Sequence, residues 1–168
     1  IASTSNPLTA RVAVNQIWMR HFGTPLVDHV FDFGLRSPKP RHADLLDWLA
    51  VELMENNWSM KHLHRLIVTS RTWQLASSLG KVANPSPRKI DPDNQYLWRA
   101  NIRRLDAELV RDNVLAISGQ LDKTLGGADI DFRQGETSRR RSIYLRHAYE
   151  KQMTMLVLFD AANPTDCY

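Results

Sequence analysis

Residues 43–68 read ADLLDWLAVELMENNWSMKHLHRLIV, and their spacing decides the fold class. Leu46, Leu49, Ala50, Leu53 and Met54 recur at three- and four-residue intervals, the period that gathers apolar side chains on one side of an α-helix. The spacing predicts a helix from about Ala43 to Asn56, with Trp48 buried beside Leu45, Leu49 and Leu53. Asn57-Trp58 makes a tight turn, and the Ser59 hydroxyl is placed to accept a free N–H of the next helix's first turn. Leu63, Leu66, Ile67 and Trp73 supply that helix's buried side. Two amphipathic helices joined by so few residues form an antiparallel or angled hairpin.

Upstream, Asn6-Pro7 opens another helix, since Asn caps well and Pro is favoured in the first turn. Ala10, Val14, Ile17 and Trp18 keep helical spacing, and Gly23 stops the helix after Phe22. Residues 24–41 carry Pro25, Gly34, Pro38 and Pro40 and read as an irregular connection. Leu26, Val27, Val30, Phe31 and Phe33 are expected to pin it to the core.

Downstream, Pro85, Pro87 and Pro92 make residues 77–93 a linker or long surface loop and the best internal boundary. The chain restarts at Asn94 with Tyr96, Leu97 and Trp98. A helix is expected over about Arg103–Ser118, with Leu105, Leu109, Val110, Val114 and Ile117 inward and Gly119 at its end. Residues 121–141 look exposed, Ser142–Leu145 reads as a short strand, and Glu150–Asp160 as a last helix. The fold class is therefore mainly α: one irregular helical domain over 1–168, about five main helices with long connections, and at most a small strand element.

A chain of 168 residues is long enough to bury a full core without a metal or disulfide staple. Its 43% hydrophobic and 24% charged content is that of an ordinary globule, not a disordered or fibrous chain. The longest apolar run, Met153–Phe159, falls far short of the roughly 20 residues that cross a bilayer. Net charge is only +4, with acids interspersed among the bases, which argues against nucleic acid as a partner. Arg139-Arg140-Arg141 reads as a solvated loop before a phosphate site. The single cysteine, Cys167, permits no internal disulfide, and without CxxC or CxxCH neither a zinc ribbon nor haem attachment is encoded here. Its place near the end, and the start at Ile1, are read as marks of a longer protein.

No catalytic, cofactor-binding or metal-ligating residue is assigned. His62 and His64 are two apart and face different sides of a helix, whereas a metal pair wants spacings of three or four; His21 and His42 could join only from elsewhere in space. Five tryptophans (Trp18, Trp48, Trp58, Trp73 and Trp98) sit in or beside helical stripes, where packing comes before ligand stacking. The candidate polar network is Arg103, Arg104, Glu108, Arg111 and Asp112. Its spacings allow a ladder of Arg104–Glu108 and Glu108–Arg111 pairs, and arginines around an acid suit a structural anion better than a general acid. At least one of Arg103, Arg104 and Arg111 is expected to be buried, against Glu108, Asp112 or a backbone carbonyl, and Glu108→Gln to destabilise.

These residues also carry a resemblance. The stretch Asn6–Asn15 with Trp18, Phe22-Gly23 and Asp32-Phe-Gly34, then Leu45–Ala50, Trp58-Ser59, Leu63–Ile67 and Ser70, resembles a planctomycete-type domain of unknown function. The likeness resumes at Asp91-Pro92, Asn94, Leu97–Arg99, Arg103–Leu105, Ala107-Glu108, Arg111-Asp112, Ser118-Gly119 and Gly126-Gly127, and closes at Phe159–Ala161 and Cys167. Gln16 departs from the arginine usual there, and the family runs on past Tyr168. The resemblance implies the C-terminal part of a large exported bacterial protein, periplasmic or extracellular, with a second uncharacterised domain and often a cytochrome-c-like domain upstream. It implies no established activity.

The reading that follows is a non-catalytic interaction or scaffold module with no cofactor of its own and no membrane span. Its partners would be other domains of the same protein or an extracellular polymer. The alternative is part of an exported enzyme, for polysaccharide breakdown or haem-linked electron transfer, whose catalytic groups lie largely elsewhere. A helical-hairpin nucleic-acid binder comes third.

Overall fold

A computed structural model describes residues 2–35, 37–78, 86–148 and 150–162. Among them are six α-helices: α1 (Pro7–Phe22), α2 (Ala43–Glu55), α3 (Met60–Val68), α4 (Ser86–Ile90), α5 (Ala107–Ile117) and α6 (Thr154–Leu158). Isolated β-bridges occur, but no sheet among the described residues. The fold is mainly α. No helix among the described residues is long and apolar enough to cross a membrane. The chain divides into two compact units, Ile1–Arg103 and Arg104–Tyr168. That division falls downstream of residues 77–93, and the stretch after them belongs to the first unit.

The first unit is built on α1, α2 and α3. Ala10, Val14, Trp18 and Phe22 of α1 meet Leu46, Leu49, Ala50 and Leu53 of α2 and Leu63 and Ile67 of α3. Gly23 ends α1 at φ 79°, where its N–H reaches the Met19 carbonyl at 2.8 Å, a left-handed position that suits glycine. Asn57 and Trp58 turn the corner between α2 and α3, both with positive φ, and Ser59 Oγ accepts from the His62 N–H at 3.3 Å. Trp48 is corrected: it lies on the outer side of α2, 48% exposed, because the buried row follows Leu46, Leu49 and Leu53 rather than their neighbour.

Leu26 and Val27 are buried, as a pinned connection requires, but Phe31 is 85% exposed. The pin is a polar one that periodicity does not reveal. Asn15 is wholly buried; its Oδ1 accepts the N–H groups of Leu26 and Val27 at 2.8 and 2.9 Å, and its Nδ2 donates to the Val27 carbonyl at 3.1 Å. One side chain thus satisfies three backbone groups that would otherwise be buried unpaired. Residues 79–85, in the expected linker, lie outside the described residues; the rest of that stretch is corrected, since Ser86–Ile90 forms the short α4 where only loop was expected.

In the second unit α5 begins at Ala107, not Arg103, with Asp106 as its N-terminal flanking residue. The inward row is corrected as well. Ala107, Arg111 and Leu115 are buried, while Leu105, Leu109, Val114 and Ile117 are 44%, 44%, 57% and 88% exposed. Ser142–Tyr144 is a 3₁₀ turn rather than a strand, with one bridge from Leu145 to Ile130 beside it. The last helix shortens to α6, whose Leu156 packs with Met153 and Ala107. The arginine run is not simply solvated: the Arg140 guanidinium sits 4.0 Å above the Tyr144 ring and donates to the Gly126 and Ala128 carbonyls.

Candidate functional site

The five residues of the candidate network do not form one ladder. Arg103 belongs to the first unit, where its guanidinium donates to the Arg20 carbonyl near the end of α1. Cations suit that position, because the last helical carbonyls lack partners. Arg104 precedes α5 and pairs with Asp160 at the exposed surface. Neither reaches Glu108, and the expected Arg104–Glu108 pair is absent because the helix starts too late to present Arg104 one turn before it.

Arg111 and Asp112 do come together, with partners from loops far along the chain. The Arg111 side chain is only 4% exposed. Its Nη1 donates to the Arg140 carbonyl at 2.9 Å and Ser142 Oγ at 3.1 Å; its Nη2 donates to the Gly135 and Ser138 carbonyls at 2.9 and 2.6 Å. Asp112 Oδ1 accepts the Ser142 N–H at 2.8 Å and its hydroxyl at 2.7 Å, and lies 3.5 Å from Arg111 Nη1. Burial pushes the Arg111 guanidinium below the ordinary arginine value, Asp112 pulls it back up and Arg139 adds to the lowering. A guanidinium remains charged in such surroundings, and four acceptors plus a carboxylate compensate it. This centre replaces part of an apolar core: it ties residues 135–142 to α5.

Gly135 is buried against the same centre. A Cβ there would stand 2.8 Å from Met153 Sδ and 3.1 Å from the Phe132 carbonyl oxygen, so glycine lets the loop carbonyl reach Arg111. Sequence spacing gives no access to Gly135, Ser138 or Ser142 as partners. The only cue was Arg111 itself, a charge standing on the buried side of an otherwise amphipathic pattern.

Glu108 stands on the flank of α5, half-buried, with no hydrogen-bond or ion-pair partner among the described residues. It lines an open groove of about 480 Å³ in the second unit, whose apolar surface comes from Leu109, Ile143, Leu145, Met153 and Leu156. Asp112 and Arg141 face the same groove, 4.0 Å apart, and Arg146 there is held by Asp129. His147 also lines it, with its Nε2 at 2.7 Å from the Ala162 carbonyl oxygen.

The first unit has its own recess of about 410 Å³, floored by Trp18, Leu26 and Leu97 and rimmed by Asp28, Lys39 and Asp93. Asp91 shapes one wall by accepting the Gln95 and Tyr96 N–H groups, each at 2.8 Å. The histidines of α3 separate as their spacing requires. His62 Nε2 lies 3.1 Å from Glu52 of α2, while His64 Nδ1 lies 2.7 Å from His21 Nε2 of α1. His21 also meets the Trp73 ring edge-on at 5.1 Å. Its protonation is held below the usual histidine range, first by burial, then by His64 and Arg103. Among the described residues no three His, Cys, Asp or Glu side chains gather as a metal site, and Cys167 lies outside those residues.

The family model described as PSD1: Protein of unknown function (DUF1553) matches residues 1–168. No curated protein and no solved structure matches the chain significantly. The chain belongs to the DUF1553 family.

Proposed function

We propose that this DUF1553 chain is a non-catalytic interaction module that docks onto other domains of a larger exported protein. The family match is to a domain of unknown function, with which a non-catalytic module is consistent; the export, the neighbouring domains and a cytochrome-c-like partner rest on the planctomycete-type resemblance. The observation that carries the docking reading is a second apolar row on α5. Val110, Val114 and Ile117 follow each other at helical spacing, Val110 half-buried and Val114 and Ile117 left open at 57% and 88% exposure. A row of aliphatic side chains kept in water gains by being covered.

The test compares hydrogen exchange in the full-length protein with that of the 168-residue chain. Peptides spanning Val110–Ile117 are expected to exchange more slowly in the full-length protein, and Val114→Lys with Ile117→Lys, whose cations suit the last turn of α5, to abolish the difference without lowering the melting of the 168-residue chain. Equal exchange in both proteins would reject the module reading.

A further inference from the structure

The groove on the other flank of α5 has its own chemistry. Its accessible apolar surface comes from Leu109, Ile143 and Leu145, because Met153 and Leu156 behind them are only 3% and 4% exposed. Its cations are already engaged: Arg146 by Asp129, and Arg141 within 4.0 Å of Asp112. Asp112 in turn is taken up by Ser142 and Arg111. Two carboxylates remain, Asp106 and Glu108, and neither has a hydrogen-bond or ion-pair partner among the described residues. A half-buried carboxylate beside apolar surface favours a cation that brings its own apolar stem.

We infer that this groove binds a protein segment in which an arginine or lysine is flanked by aliphatic residues, the cation meeting Glu108 and Asp106 and the flanking side chains lying on Leu109, Ile143 and Leu145. The apolar surface selects a peptide over a free polyamine, and the carboxylates, which lack a paired cation, select a cationic peptide over an apolar or acidic one. Groove and apolar row occupy different sides of α5, so either can fail without the other.

The 168-residue chain, labelled at isoleucine and methionine methyls, is titrated with acetyl-Ala-Leu-Arg-Leu-Ala-amide and with the same peptide carrying Gln or Glu in place of Arg. The Arg peptide is expected to shift the Ile143 and Met153 methyl signals saturably, less at higher salt. The Gln and Glu peptides should leave them in place. Glu108→Gln should weaken the Arg peptide about tenfold, the loss of one contact to a charged group, and Asp106→Asn should weaken it less, with methyl signals away from the groove unmoved in both. Equal shifts from the Arg and Gln peptides, spermidine shifting the same methyls as strongly, or no shift at all would each overturn the assignment.

Discussion

Arg111 Nη2 donates to the Gly135 carbonyl at 2.9 Å across 24 residues of chain, and that bond sets the character of the second unit. A cation occupies the middle of the buried row of α5, between Ala107 and Leu115, and draws in the loop carbonyls that must be satisfied once they leave water. The apolar part of this core is small, with Ala107, Met153 and Leu156 as its buried members. Loss of the arginine therefore strikes the unit where it has least to fall back on.

Arg111→Met should destabilise the chain by about 3–5 kcal/mol, because it strands four acceptors and the Asp112 carboxylate in a buried site. The loss should persist in high salt, since a buried centre is poorly screened. Arg111→Lys should rescue little, because a single ammonium cannot reproduce the planar fork of donors. Chemical denaturation monitored at low and high salt reads all three outcomes.

Glu108→Gln is expected to melt within about 0.5 kcal/mol of the unaltered chain, as a surface change without a partner does. This reverses what the charge spacing implied. The sequence contains Arg104, Glu108 and Arg111 at ladder intervals, but Arg104 precedes α5, which starts at Ala107, and Arg111 turns inward to the carbonyls of residues 135–140, so neither pairs with Glu108. A clear destabilisation by Glu108→Gln would show the carboxylate to be a structural anion after all.

Helices α1 to α3 of the first unit were legible because apolar period, caps and stops agree: Pro7, Gly23 and Ser59 all stand where the ends are found; the five-residue α4 is too short to show a period and reads as loop in the sequence. The second unit resisted the same reading for a physical reason. Its α5 has two apolar rows, and period alone cannot tell the row that packs from the row left in water; here the packing row contains an arginine. Long-range polar partners such as Asn15 with Leu26 and Val27, or Arg111 with Ser138, leave no local pattern. Glu108 was legible as a singular residue, but not its lack of a partner.

Leu49→Ala should cost about 2–5 kcal/mol, since Leu49 is only 2% exposed in the packed interface of α1, α2 and α3. Trp48→Ala should cost far less than the roughly 3–5 kcal/mol of a buried tryptophan, because nearly half of Trp48 already meets water. Thermal melting of the two single variants separates the inner from the outer side of α2.

Asn15→Ala should destabilise by about 2–4 kcal/mol, leaving the buried N–H groups of Leu26 and Val27 and the Val27 carbonyl without their partner. Asn15→Asp keeps the acceptor for both N–H groups but sets a carboxylate against the Val27 carbonyl, so it should not restore stability. Slowly exchanging amides at Leu26 and Val27 in the unaltered chain, made fast by Asn15→Ala, would be the direct sign of the pin.

The His21–His64 contact should make stability depend on pH. The ring nitrogens are 2.7 Å apart, so both rings cannot carry a proton at once without direct repulsion, and Arg103 adds a further positive charge nearby. Burial disfavours the His21 cation first, and His64 and Arg103 add to that, so His21 in the folded chain titrates below the usual value of 6.5, while the unfolded chain keeps that value. In the window just below it the unfolded state binds more protons, so stability rises with pH there. The contribution is complete above the ordinary histidine range and is lost as pH falls from it toward the folded-state value. Melting between about pH 7.5 and about pH 5.5 should show a decline. His21→Phe, which keeps an aromatic edge against Trp73 but cannot titrate, should make that decline shallower. An identical pH profile for His21→Phe and the unaltered chain would assign the decline to other groups.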